Sequence, residues 1–115
     1  MTTDPGRLHF GVVRVDLHLP GVTSLKGKRG LLKRVDAALR NELGCSVAEV
    51  GFQDTWQRAA LGVAVAAGSA GGVDRVVDRV RSICERDPRV VVTSAMAIVD
   101  VVDVDEGEPL PPGWT

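Results

Sequence analysis

A chain of 115 residues with a formal net charge of −1 is long enough for one hydrophobic core and too short for two independent ones. Its 44% apolar content excludes disorder throughout. No stretch approaches the ~20 apolar residues of a membrane-spanning helix, and the opening MTTDPGRLHF lacks the cationic-then-apolar pattern of a secretory signal. No membrane association and a cytoplasmic location are therefore expected.

Residues 1–7, with Pro5 and Gly6, read as a frayed lead-in. Leu8 to Leu19 alternates, with Val13, Val15, Leu17 and Leu19 on one face and Phe10, Val12, Arg14, Asp16 and His18 on the other, which predicts a strand. Pro20 and Gly21 break it, and Thr23 or Ser24 supplies an N-cap for a helix running to about Leu43. At 100° per residue, Leu25, Leu31, Leu32, Val35, Ala38, Leu39 and Leu43 share the side to be buried. Gly44 suits a left-handed C-cap. Cys45 to Val50 reads as a short strand whose faces the pattern does not assign, and Gly51 to Gln57 as a connector. In Ala59 to Ala67, Leu61, Val63 and Val65 oppose a small-residue face of Ala60, Gly62, Ala64 and Ala66. Gly68 to Gly72 is expected as a flexible turn before a second helix, whose buried stripe is Val73, Val76, Val77, Val80, Ile83 and Cys84. Val90 to Val102 is the last strand. The acidic, proline-rich segment 103–115 should be an extended or disordered tail.

The order is β-α-β-β-α-β. Right-handed crossovers turn it into an α+β, ferredoxin-like sandwich spanning residues 8–102, with two helices on one face of a four-stranded antiparallel sheet. The first and third strands should be central, with Val13, Val15, Leu17, Leu61, Val63 and Val65 towards the helices. Phe10, Arg14, Asp16, His18, Ala60, Gly62 and Ala64 should line the uncovered face, a weakly polar surface that a second subunit or the chain's own tail would cover.

Lys26, Lys28, Arg29, Lys33, Arg34 and Arg40, against Asp36 and Glu42, make the first helix +4, so the remaining residues sum to −5. Lys26, Arg29, Lys33 and Arg40 fall on one solvent-facing stripe, the pattern either of a phosphate-binding surface or of an ordinary solvated helix. The connector residues Gln53, Asp54, Trp56, Gln57 and Arg58 suit either a recognition loop or a Trp plug closing the core, with Asp54 and Arg58 paired. The four aromatic residues are Phe10, Phe52, Trp56 and Trp114, and only Phe10 lies on a central strand's outer face, so RNA-base stacking on the sheet is disfavoured. His9 and His18 point to opposite faces and cannot share a metal. Asp16 and His18 share a face, where a partnered surface histidine is preferred to an acid/base pair. GSAGG lacks the Lys-Ser/Thr of a phosphate-cradling loop. Cys45 and Cys84 have no neighbouring Cys or His to complete a ligand set and are expected as unlinked thiols. No catalytic triad or dyad spacing stands out. The expectation is a non-enzymatic protein without cofactor or metal.

The segments LHLPGVTSLKGKR and VAEVGFQDTWQRAALG resemble the YlxP-like family, a small bacterial family long filed as a domain of unknown function. The resemblance runs from about Phe10 to Val102. It implies a ferredoxin-like fold and a genetic setting among transcription, translation-initiation and ribosome-maturation factors, hence an RNA-associated role. Gly27 and Gly30 replace ordinary helix formers, which predicts a looser first helical turn. The leading expectation is an RNA- or ribonucleoprotein-binding protein acting through the first helix. The alternative is a protein-interaction module, a homodimer or a binder of another protein, using the open sheet face and the Trp56 loop.

Overall fold

The computed structural model describes residues 3–113. Met1, Thr2, Trp114 and Thr115, the outer parts of the expected lead-in and tail, lie outside the described residues. The elements are β1 (Leu8–His18), α1 (Leu25–Leu43), β2 (Ser46–Gly51), β3 (Arg58–Ala67), α2 (Ala70–Cys84) and β4 (Val91–Val102). The strands form one sheet in the order β2-β3-β1-β4, and every neighbouring pair is antiparallel. This is the ferredoxin-like α+β arrangement, with β1 and β3 central.

Alternation decides which face is buried. Val13, Val15, Leu17, Leu19, Leu61 and Val63 pack against Leu31, Leu32, Val35 and Leu39 of α1 and Val80, Ile83 and Cys84 of α2. The pairing Val13↔Val63 and Val15↔Leu61 puts both strands' large residues in register on that side. β2 adds Val47, opposite Val63, while Ser46 and Ala48 fall on the other side. A register shift between Glu49 and Gly51 ends this alternation, and a second one in β4 lies beside Asp16/Leu17. Gly11 on β1 is needed where α2 closes onto the sheet, because an added Cβ would come within 2.7 Å of Val73 Cγ1.

Three local expectations change. Gly68 to Gly72 is not all turn: Ser69 is the N-cap of α2, its Oγ accepting from the Gly72 N–H at 3.1 Å, and Ala70, Gly71 and Gly72 form the first helical turn. The first turn of α1 is likewise closed despite its glycines, with Ser24 Oγ accepting from the Gly27 N–H at 3.0 Å. A serine cap satisfies an otherwise orphaned donor and offsets part of the glycine penalty. On the open face, Ala60 is fully buried instead of exposed. Gly51 crowds over it beside Arg14: a Cβ on Gly51 would stand 3.3 Å from Ala60 Cβ and 3.4 Å from Arg14 Nη2.

Candidate nucleic-acid interface

The helix that carries the basic residues is fixed at both ends. Its C-cap Gly44 is left-handed (φ 63°), and the Gly44 N–H donates to Arg40 O at 3.0 Å. Its six cations separate into three groups.

Lys28 leaves the surface altogether. It is 2% exposed, and its Nζ donates to Phe52 O at 2.6 Å and Thr55 O at 2.7 Å, with Glu49 Oε1 at 3.5 Å. The expected nucleic-acid contact at Lys28 is therefore replaced by an internal one. The physical reason is helical period: Lys28 precedes Leu32, Val35 and Leu39 by four, seven and eleven positions and so faces the core with them. A buried ammonium needs acceptors, and the tight turn closed by the Thr55 N–H to Phe52 O bond supplies two carbonyls. Phe52 adopts φ 57° in that turn.

Arg40 is also diverted, whereas Arg34 is unpaired but turned away from the stripe. Arg40 donates to Asp36 Oδ1 at 2.6 Å and to the Val47 carbonyl, tying α1 to the edge strand β2. Arg34 lies on the other flank of α1, beside Arg86, Asp87 and Arg89 in a crevice between the helices. Arg89 holds the Asp87 carboxyl down to about 2 by a side-chain hydrogen bond, reinforced by the Arg89 backbone N–H and, more weakly, by the Arg34 charge. Glu42 is similarly lowered, first by its hydrogen bond with Arg86.

Lys26, Arg29 and Lys33 remain. They are exposed and, among the described residues, make no ion pair or hydrogen bond through their side chains. On and just after α2, Arg79 pairs with Glu42, Arg81 with Glu85, Arg86 with Glu42 and Arg89 with Asp87, while Arg75 stands alone without an ion pair. The three α1 cations stand at i, i+3 and i+7, which on a 1.5 Å rise covers about 10 Å of one helix face.

The connector beside them is held from within. Gln57 donates its amide to Pro20 O at 3.3 Å and Val22 O at 3.2 Å, and its carbonyl accepts from the Leu19 N–H at 2.9 Å. Gln53 reaches Glu49 O at 3.2 Å. Arg58 lies over the Phe52 ring at 3.9 Å, and no ion pair joins it to Asp54 among the described residues. Trp56 is 50% exposed, so it does not plug the core as one reading of the sequence expected. The reason is that Lys28 and Gln57 already close that end of the sandwich. Arg29, Gln53 and Asp54 line one crevice with Leu25 and Leu32, which places the loop against the start of the basic face.

The uncovered side of the sheet carries no acid/base pair. Asp16 is taken by Arg14 at 3.2 Å, and His18 Nδ1 donates to Gln57 O at 3.2 Å. Phe10 is half-buried. Val12, Val50, Met96 and Ile98 instead form a shallow apolar trough floored by Gly62 and Ala64. The acidic tail does not reach Arg14; Asp103 pairs with Arg7 at 2.9 Å. Among the described residues, no three His, Cys, Asp or Glu side chains converge to hold a metal, and no helix is long and apolar enough to cross a membrane. Cys45 and Cys84 are buried and free; burial raises both thiol pKa values, that of Cys84 to about 11.

The chain is similar to the uncharacterized protein YlxP of Bacillus subtilis (strain 168), being 36% identical over 67 residues, which cover 58% of this chain and 73% of that protein. The model of a family described as "Protein of unknown function (DUF503)" matches residues 10–97, a span that contains the basic helix, the Lys28-anchored loop and both central strands. With so large a share of the sandwich matched, the chain belongs to the DUF503 family.

Proposed function

We propose that this protein binds single-stranded RNA, free or exposed in a ribonucleoprotein, along the outer face of α1. The observation that carries the reading is the clustering of three unpaired cations, Lys26, Arg29 and Lys33, on one helix face, where Arg79, Arg81 and Arg86 of and just after α2 are matched to carboxylates and Arg75 stands alone. Exposed cations left without counter-charges are what a phosphate backbone neutralises, with release of its condensed counterions. Trp56 adds a half-exposed ring on which a base stacks in a sequence-tolerant way. Lys28 holds the loop that presents it, and the binding is non-enzymatic.

The test is a titration of a short fluorescent oligouridylate with the parent protein and with Lys26→Gln/Arg29→Gln/Lys33→Gln. Three phosphate contacts carry a log–log salt slope of roughly 2 on single strands, so the triple variant should bind about a hundredfold more weakly at ~0.1 M salt. Its fold should persist, because none of the three packs in the core. Trp56→Ala should weaken binding with little change in stability. A triple variant that binds as tightly as the parent at low salt would reduce the stripe to a solvated helix face. A second reading, association through the sheet, is favoured by Met96 and Ile98, which are 67% and 66% exposed.

A further inference from the structure

β4 is the longest strand and forms an edge of the sheet. Edge strands in soluble proteins are blunted by shortness, lysine, proline or a bulge in mid-strand. The other edge follows that rule: β2 has six residues, bears Glu49 and is interrupted by a register shift. β4 has twelve residues, no lysine and no proline, and Asp100 is its only charge. Its register shift lies near its start, so the strand pairs with β1 without interruption from Ser94 to Val102. It is exposed on both sides. Met96 and Ile98 stand on the open face, while Ala95, Ala97 and Val99, opposite Val15, Val13 and Gly11, face the helix layer but lie uncovered. A partner packed flat on the sheet would cover only the first set.

We propose that a second copy of this chain pairs with β4 edge to edge and antiparallel, about a two-fold axis at Ala97, to make one continuous eight-stranded sheet. The strand's own sequence selects this axis. About this axis Ser94 to Asp100 of one copy pair with Asp100 to Ser94 of the other, clear of the register shift, and antiparallel pairing about a two-fold is self-complementary by construction. It sets Met96 against Ile98 of the second copy twice over, and Ala95 against Val99 twice over, so apolar positions meet apolar ones on both faces. Asp100, the strand's one charge, arrives opposite the polar Ser94 of the second copy and not against an apolar side chain.

Sedimentation equilibrium on nuclease-treated protein should give twice the 12.2 kDa chain mass. Ile98→Lys, on a side chain already exposed in one chain, should restore the single-chain mass with an unchanged circular-dichroism spectrum. Ala97→Cys should crosslink two chains on mild oxidation, because the two copies of residue 97 face each other at the axis, whereas Cys45 and Cys84 are buried. A face-to-face sheet dimer would keep the parent mass doubled but leave Ala97→Cys uncrosslinked, since Ala97 points to the helix side, and that result would overturn the edge pairing. A parent that stays at 12.2 kDa at the highest attainable concentration would overturn it as well.

Discussion

Lys28 occupies a position where the helical period calls for a leucine, and its three contacts explain how a cation survives there. Its ammonium satisfies the carbonyls of Phe52 and Thr55 and sits near Glu49, which faces the helix side of β2 opposite Leu61. Replacing it by Met keeps the bulk but leaves the Thr55 carbonyl without a donor, while the Phe52 carbonyl keeps the Thr55 N–H. Lys28→Met should therefore lower the unfolding free energy by roughly 1–3 kcal/mol in a urea titration. Lys28→Arg should fail to rescue it, because a planar guanidinium cannot replace a compact ammonium aimed at two carbonyls of one turn. An unchanged urea midpoint for Lys28→Met would contradict this role. Cys84 gives a separate prediction. It has no exposed surface, and burial holds its thiol near 11 against an ordinary 9.0. Because the folded-state pKa is the higher one, the neutral thiol's contribution is complete below pH 9 and is lost as pH rises towards 11. A shift of that size corresponds to about 2–3 kcal/mol. Cys84→Ser would not report it cleanly, so the measurement is the parent's urea midpoint between pH 8.5 and 11 against Cys84→Ala, whose stability should fall less steeply over that interval.

At the scale of elements, α1 combines a regular helix with two glycines that packing does not require. A Cβ at Gly30 would meet nothing, and one at Gly27 would meet only Ser24 Oγ at 3.3 Å. Gly30→Ala should therefore raise stability by roughly 0.5–1 kcal/mol, the ordinary helix-propensity difference. A destabilised Gly30→Ala protein would mean that the position is constrained by something besides its own helix. The element order, the central pair β1 and β3 and the two helix stripes were all legible in the sequence, because period-2 and period-3.6 patterns are local. The six-residue β2 was legible as a strand but not its faces, since its register shift breaks the alternation at Glu49. The site was legible only in part. The stripe Lys26, Arg29, Lys33 followed from spacing, but the same 100° arithmetic that built the apolar stripe also placed Lys28 within it, and residue type hid that signal. Whether Trp56 plugs the core or stands exposed depends on the bonds Lys28 to Thr55 and Gln57 to Pro20, which join residues distant in sequence. β4 was read as a strongly β-prone strand, yet its exposure on both faces depends on how far α2 extends over the sheet.

The cations of the stripe, Lys26, Arg29 and Lys33, lie on the helix layer, while Asp103, Asp105, Glu106 and Glu108 gather in the segment that follows the edge strand. The radius of gyration, 16.9 Å, exceeds the ~13 Å of a compact chain of this length, as expected of a sandwich with a projecting end. A nucleic acid approaching this surface would meet the unpaired Lys26, Arg29 and Lys33 with Asp36, Glu49 and Asp54 at their margin. The salt dependence of oligouridylate binding therefore tests the proposed function most directly. On a log–log plot of association constant against potassium chloride concentration, the slope should become shallower by roughly 0.7 for each of Lys26, Arg29 and Lys33 replaced by Gln, or about 2 for the triple variant. Equal slopes for the parent and the triple variant would contradict phosphate binding by this helix.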